Sequence, residues 1–203
     1  MRVDKVIVRA ALSTLAAIIA LIAFMILALS LVYPATLMKM TYDLGMENLC
    51  IANAKEAYKR SGEVYYIAFA TEVAIGEDDY AKIEGCGQAF IADDEFEQYC
   101  TERNEALAGD GVNGAYEQYV YGQVCVAKYR LGRKDTVEKA FALVGEESFP
   151  ENNAVVAVLL TALMEKDDST VEAVRVKMNE MQGSVATEDK AYFDEVLRLA
   201  QNG

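Results

Sequence analysis

The chain has 203 residues, of which 19 are basic, 32 acidic and none histidine, a formal net charge of −13 at pH 7. That length suits one ordinary domain plus an extra element. Without histidine, the chain itself cannot build His-based zinc sites, Ser-His-Asp triads or Cys-His dyads.

The first departure from average composition is near the N-terminus. Residues 1–9 carry Arg2, Lys5 and Arg9, and from Ala10 to Val32 the run AALSTLAAIIALIAFMILALSLV holds 23 residues without a charge. About 20 apolar helical residues cross a hydrocarbon core of roughly 30 Å. A buried core helix normally has a polar stripe, and Ser13, Thr14 and Ser30 do not make one. Residues 10–33 are therefore expected to form a transmembrane helix. A cleaved signal peptide is the competing reading. Its apolar region spans about 7–15 residues and ends at a small-x-small site. Ala28-Leu29-Ser30 could serve as that site, but the run before it is already too long. An uncleaved signal anchor fits better. Lys39 is the only basic residue among the next 20 after Val32, so the positive-inside rule leaves residues 1–9 in the cytosol. The rest of the chain is then expected on the extracytoplasmic side of a cell membrane. Residues 41–203 hold 15 basic and 31 acidic side chains, a net charge of −16. Such a polyanion repels nucleic acid and anionic membrane surfaces, because binding them relies on neutralising phosphates with Lys and Arg. No nucleic-acid partner is expected.

Pro34 ends the span and could equally be the first residue of the next helix. Residues 35–60 read as one helix, within a juxtamembrane segment of residues 34–62, and RSGE at 60–63 breaks it. The remainder, residues 63–203, reads as a helical-repeat domain. VYYIAFATEVAI (64–75), YAKIEGCGQAFIA (80–92) and an acidic DDEFEQYCTERNEAL (93–107) lead into AGDGVNG, a loop rich in Gly, Asn and Asp. Further helices are expected near 115–131, 136–145, 153–165, 170–182 and 188–201. Two prolines in the whole chain and no sustained apolar–polar alternation leave little room for strands. The fold class is all-α: an N-terminal transmembrane helix followed by an α-solenoid of stacked helical hairpins.

The turns carry most of the information. LGRKDTVEKAF ends one helix at Gly132 and starts the next at Asp135, and LMEKDDSTVEAV does the same in residues 163–174. Thr136-Val137-Glu138 and Thr170-Val171-Glu172 are identical triplets 34 positions apart. Asp135 with Glu138, and Ser169 with Glu172, have capping-box spacing. AIGEDDYAKI (74–83) is a looser copy with Asp78 or Asp79 as the cap. A phosphate loop would need a run of glycines after a strand and a Lys-Ser/Thr pair. Gly132-Arg133-Lys134 therefore reads as a helix stop followed by solvated cations near a helix C-terminus.

A 34-residue unit of two helices resembles a tetratricopeptide repeat. GRKDTVEKAFALVGEESFPENNAVVAVLLTAL (132–163) carries the resemblance through Gly132, Val137, Phe141, Val144 and PENN. The copy at 64–93 keeps Gly76 and Ala81 but puts Gly85 and Gly87 inside its second helix, and the last copy lacks a turn glycine. Each hairpin buries one face and needs a neighbour to cover the other. The resemblance implies that the first helix of each pair lines a concave groove. On that basis Tyr119, Val126, Tyr129 and Arg130 face the groove, with Tyr66 as the equivalent one unit earlier, while Tyr121, Val124 and Cys125 pack inside. Aromatics with polar tips and Arg are favoured anchors for a protein partner; the alternative is that these tyrosines simply pack between helices.

Other chemistry is sparse. Cys50, Cys86, Cys100 and Cys125 form no CxxC pair. An even count is compatible with disulfides in an oxidising compartment, with Cys86 and Cys100 on consecutive helices as the candidate pair. Small buried hydrophobes are the alternative. Glu77-Asp78-Asp79, Asp93-Asp94-Glu95 and Asp167-Asp168 fit no EF-hand spacing and sit at helix starts, where acids are favoured. No metal, cofactor or catalytic motif is read from the sequence. The expected function is a membrane-anchored scaffold or assembly subunit that binds protein. The alternatives are an accessory subunit of a larger membrane complex and a glycan-cleaving enzyme that uses a single glutamate, with Glu72 and Glu117 as candidates.

Overall fold

The computed structural model describes residues 2–109, 115–144, 149 and 153–202. Among these residues the fold is all-helical, with eleven α-helices and no strand. The chain divides into two compact units, residues 1–66 and 67–203.

The first unit contains α1 (Arg2–Val32), α2 (Pro34–Asp43) and α3 (Glu47–Ser61). Within α1, Ile7–Leu29 has a mean hydropathy of 2.7 and no buried residue, so it is long and apolar enough to cross a membrane. The Ser13 and Thr14 hydroxyls donate back to the Ala10 carbonyl, each at 2.9 Å, so neither hydroxyl is left unsatisfied in an apolar surrounding. Pro34 takes the first turn of α2, where its missing N–H costs nothing.

The single helix expected over 35–60 is broken. Gly45, at φ +65°, donates to the Tyr42 carbonyl at 2.9 Å, and Met46 donates to the Thr41 carbonyl at 2.8 Å. This pair of bonds closes α2 with a left-handed residue, which glycine adopts without a Cβ clash. α3 then packs back on α2.

The unit boundary falls inside α4 (Val64–Gly76). The second unit continues with α5 (Tyr80–Ile91), α6 (Phe96–Gly109), α7 (Tyr116–Arg130), α8 (Thr136–Ala142), α9 (Ala154–Glu165), α10 (Asp168–Met181) and α11 (Lys190–Asn202). α7 lies at its centre, against α5, α6, α8 and α9. Gly87 permits one of these approaches: a Cβ there would lie 2.3 Å from Val124 Cγ2 on α7. A second core gathers Phe149, Leu159, Val174, Met178 and Phe193, and the Phe149 and Phe193 rings meet edge to face at 5.0 Å. Burying each such side chain stabilises by about 1.5–3 kcal/mol. α11 buries Phe193, Val196, Leu197 and Ala200 against α10 and leaves its charged side to solvent.

Three turns between helices share one backbone pattern. Gly132 (φ +70°) donates to the Tyr129 carbonyl and Arg133 to that of Lys128. Asp78 (φ 52°) and Lys166 (φ 57°) take the same left-handed position, donating to Ile75 and Leu163 while their successors donate to Ala74 and Ala162. Lys166 lies 34 positions after Gly132, so the turn that lacks a glycine keeps the geometry and carries the strain of a side chain in it.

The caps differ in part from expectation. Asp79 caps α5, accepting from the Lys82 amide at 3.2 Å. Asp135 precedes α8 but makes no side-chain cap; it pairs with Lys139 at 2.6 Å instead. α10 is capped by Asp167, not Ser169, because Asp167 Oδ1 accepts from the Thr170 amide at 3.2 Å and Ser169 donates its hydroxyl to the same carboxylate at 2.7 Å. Glu172 pairs with Arg175, so the capping box expected there is not formed.

Candidate partner-binding cleft

Helical spacing brings four helices to one cleft of about 610 Å³. α4 contributes Glu72 and Ile75, α6 contributes Arg103 and Leu107, and α7 contributes Tyr116, Tyr119 and Gln123. On α9, Val156, Ala157 and Leu160 complete the lining. In each helix these residues stand three or four apart, or adjacent, so they share a face. A volume of this size suits a small ligand or a few side chains.

The polar groups are concentrated on one wall. Tyr116 is 7% exposed, and its hydroxyl donates to Glu72 Oε1 at 2.7 Å. Its backbone N–H, one of the orphan donors of a helix start, is held by Asn104 Oδ1 at 2.8 Å. Arg103 Nη2 lies 3.5 Å from the same Glu72 oxygen, and its guanidinium sits 5.9 Å from the centre of the Tyr116 ring. Burial, and next the hydrogen bond to the Glu72 carboxylate, pushes the Tyr116 phenol far above its usual range. Tyr119 is pushed up as well, first by burial and then by the Glu72 charge. Tyr116 is therefore a fixed neutral donor, whereas Tyr119 presents its ring at 44% exposure. Leu160 faces the same opening at 45%, and Met164, one turn further along α9, is 80% exposed.

The expected groove residues do not all converge. Tyr119 lines this cleft. Tyr129 and Arg130 line a different one of about 850 Å³, formed with residues of the α7–α8 turn, α8, α10 and the end of α9. There the Tyr129 hydroxyl donates to Asp167 Oδ2 at 2.9 Å, which also accepts from the Thr170 hydroxyl at 2.7 Å. With Ser169 the first contributor and Thr170 the next, these donors hold the Asp167 carboxyl far below its usual range. Arg130 is paired with Glu165 and lies 5.8 Å from the centre of the Tyr80 ring. Tyr129 and Arg130 thus tie the end of α7 to the turn between α9 and α10. Val126 is half-buried. Tyr66 belongs to the first unit, with its ring 5.4 Å from that of Tyr65.

Cys86 and Cys100 are both buried, as are Cys50 and Cys125, and the candidate disulfide is not formed in this structure. Desolvation accounts for the rise of the Cys100 thiol to about 12 and of the Cys125 thiol to about 11. Of the two candidate glutamates, Glu72 lines the cleft, while Glu117 hydrogen-bonds Tyr121.

Sequence reasoning missed Arg103, Leu107, Gln123 and Leu160. Arg103 and Leu107 stand four apart in a helix legible only as acidic, and their approach to Glu72 is a long-range contact. Leu160 lies in a helix, AVVAVLLTALM, that is apolar almost all round and so shows no open face by composition. A signal was present in its spacing: Leu160 and Met164 are four apart, on the side of α9 opposite Val158 and Ala162.

No protein-family model, curated protein or solved structure matches the chain.

Proposed function

We propose that the chain is a membrane-anchored helical protein that binds another protein in the α4–α6–α7–α9 cleft, as a scaffold or assembly subunit. The observation that carries this reading is the exposure of Tyr119 and Leu160 at the mouth of an apolar cleft. A large aromatic and a large aliphatic side chain left in solvent beside a cavity are what an interface centre uses. The span Ile7–Leu29 supplies the anchor. Arg2, Lys5 and Arg9 before it favour a cytosolic N-terminus, with the helical domain on the extracytoplasmic side. The 34-residue spacing of the Gly132 and Lys166 turns supports a tetratricopeptide-like stack of hairpins.

The test is photo-cross-linking in intact membranes from p-benzoyl-phenylalanine in place of Gln123, inside the cleft, with Gln182, exposed after α10, as the control position. A discrete protein adduct from position 123 and none from 182 supports the reading; no adduct from 123 refutes it.

Glycan cleavage is the second reading, and the location of Glu72 in the cleft favours it. Its weakness is the role of that carboxylate, which accepts from Tyr116 and faces Arg103, whereas a general acid must offer a proton to the substrate. Release of sugar from purified cell wall by the native chain, lost in Glu72→Gln, would establish it.

A further inference from the structure

We infer that the occupant of the cleft is an amphipathic segment of a partner protein in which apolar side chains are flanked by Lys or Arg. This rests on the partner-binding reading above and names the chemistry of the partner.

The charge of the second unit favours a cationic segment. Residues 67–203 hold 12 basic and 27 acidic side chains, a net charge of −15. Many of the cations are already tied to neighbouring acids: Lys82 to Asp79, Arg130 to Glu165, Arg133 to Glu84, Arg198 to Glu195. An approaching segment therefore meets a negative field, which speeds the association of cations and repels anions.

Glu72 is the one carboxylate among the lining residues. Its Oε1 accepts from Tyr116, and a carboxylate has capacity for about three further hydrogen bonds. Arg103, at 3.5 Å and with its side chain 44% exposed, lies beyond good hydrogen-bond distance and leaves that capacity unfilled. Its position over the Tyr116 ring marks the wall as a place where a guanidinium is favoured between an aromatic face and a carboxylate. A partner cation docks beside it, on the remaining Glu72 lone pairs and the exposed Tyr119 ring. The apolar side chains of the segment fill the space against Ile75, Leu107 and Leu160. An entering cation has Glu72 as counter-charge and Arg103 as like charge, a carboxylate the reverse, and the net negative field of the unit tips the balance to the cation.

The test uses the full chain in vesicles of zwitterionic lipid, with Tyr119→Trp as the reporter; the native sequence contains no tryptophan. The probes are a Leu/Lys amphipathic peptide and a Leu/Glu peptide of the same length. The inference predicts a saturable blue shift with Leu/Lys and binding at least tenfold weaker with Leu/Glu. It also predicts at least threefold weaker Leu/Lys binding after Glu72→Gln, a change that keeps the acceptor for Tyr116. Raising the ionic strength from about 0.1 to about 1 M shortens the Debye length from about 10 to about 3 Å and should weaken the Leu/Lys complex. Equal or tighter Leu/Glu binding overturns the inference in favour of carboxylate recognition by Arg103. Leu/Lys binding indifferent to Glu72→Gln overturns it as non-specific charge attraction. If neither peptide shifts the emission while position 123 still cross-links a protein, the inference fails and the partner-binding reading stands; if the cross-link is absent too, both fail.

Discussion

Replacing Gly87 with Ala tests the packing that places α7, and with it the cleft. The new Cβ would lie 2.3 Å from Val124 Cγ2, and 3.7 Å from both Val124 Cβ and Thr71 Cγ2. Val124 is 3% exposed and Thr71 is fully buried. A helical valine has essentially one rotamer, so the methyl cannot swing aside and α5 and α7 must separate by about 1 Å to restore van der Waals contact. Overpacking of this kind costs about 1–3 kcal/mol. The better helix propensity of Ala returns about 0.5–1 kcal/mol, leaving a net loss of up to about 2.5 kcal/mol. Gly85 is the internal control, because a Cβ there meets nothing within 4 Å. Gly85→Ala should stabilise by about 0.5–1 kcal/mol through propensity alone. Urea unfolding followed by circular dichroism on the full chain in one detergent gives both values. Val124→Ala removes the opposing methyls, so the Gly87→Ala/Val124→Ala pair should be more stable than the sum of the single losses by at least about 0.5 kcal/mol. If Gly87→Ala is as stable as Gly85→Ala, the close approach of α5 to α7 is refuted.

Three further outcomes follow from the same geometry. Lys166→Gly should raise stability by up to about 1 kcal/mol in urea unfolding, because Lys166 is at φ 57° and glycine relieves the left-handed strain. Alkylation of the native chain should be slow at Cys100 and Cys125, whose burial raises their thiols to about 12 and about 11, with four free thiols counted after denaturation without reductant; fewer than four would restore a disulfide. Above about pH 10 the unfolded state ionises its tyrosines while Tyr116 and Tyr119 stay protonated, since their phenols are raised by burial. Stability is therefore complete below that pH and falls as pH rises through it, measured as a decreasing urea midpoint; a midpoint that rose or stayed constant would contradict the burial of Tyr116.

How much of this was legible depended on the range of the contact. The membrane-length run at Ala10–Val32 and the turns between helices are local properties, written in uninterrupted hydropathy and in Gly132 and Asp79. The cap of α10 was misplaced by two residues because Asp167, Asp168 and Ser169 can all cap, and tertiary bonding from Tyr129 favours Asp167. The break at Gly45 is not legible in the sequence, because a single glycine inside a helical pattern is ambiguous without the packing of α3 on α2. The cleft was half legible. Spacing from Gly132 put Tyr119 on an open face, but it put Tyr129 and Arg130 on the same face, and α7 is long enough to serve two clefts. Arg103 and Glu72 are 31 positions apart, and no periodicity joins them.

The central claim is that the cleft around Tyr119 binds a partner and the contacts of Tyr129 and Arg130 hold the fold. The most direct measurement compares two paired variants in the full chain, Tyr119→Ala/Leu160→Ala and Tyr129→Ala/Arg130→Ala, by cross-linking yield from position 123 and by thermal melting. The account predicts that the first pair loses the adduct at least tenfold and melts within a few degrees of the native chain. The second pair keeps the adduct but melts lower, by roughly 2–8 °C for a loss of about 1–2 kcal/mol. An undiminished adduct from the first pair, or its loss in the second with melting unchanged, would contradict the account.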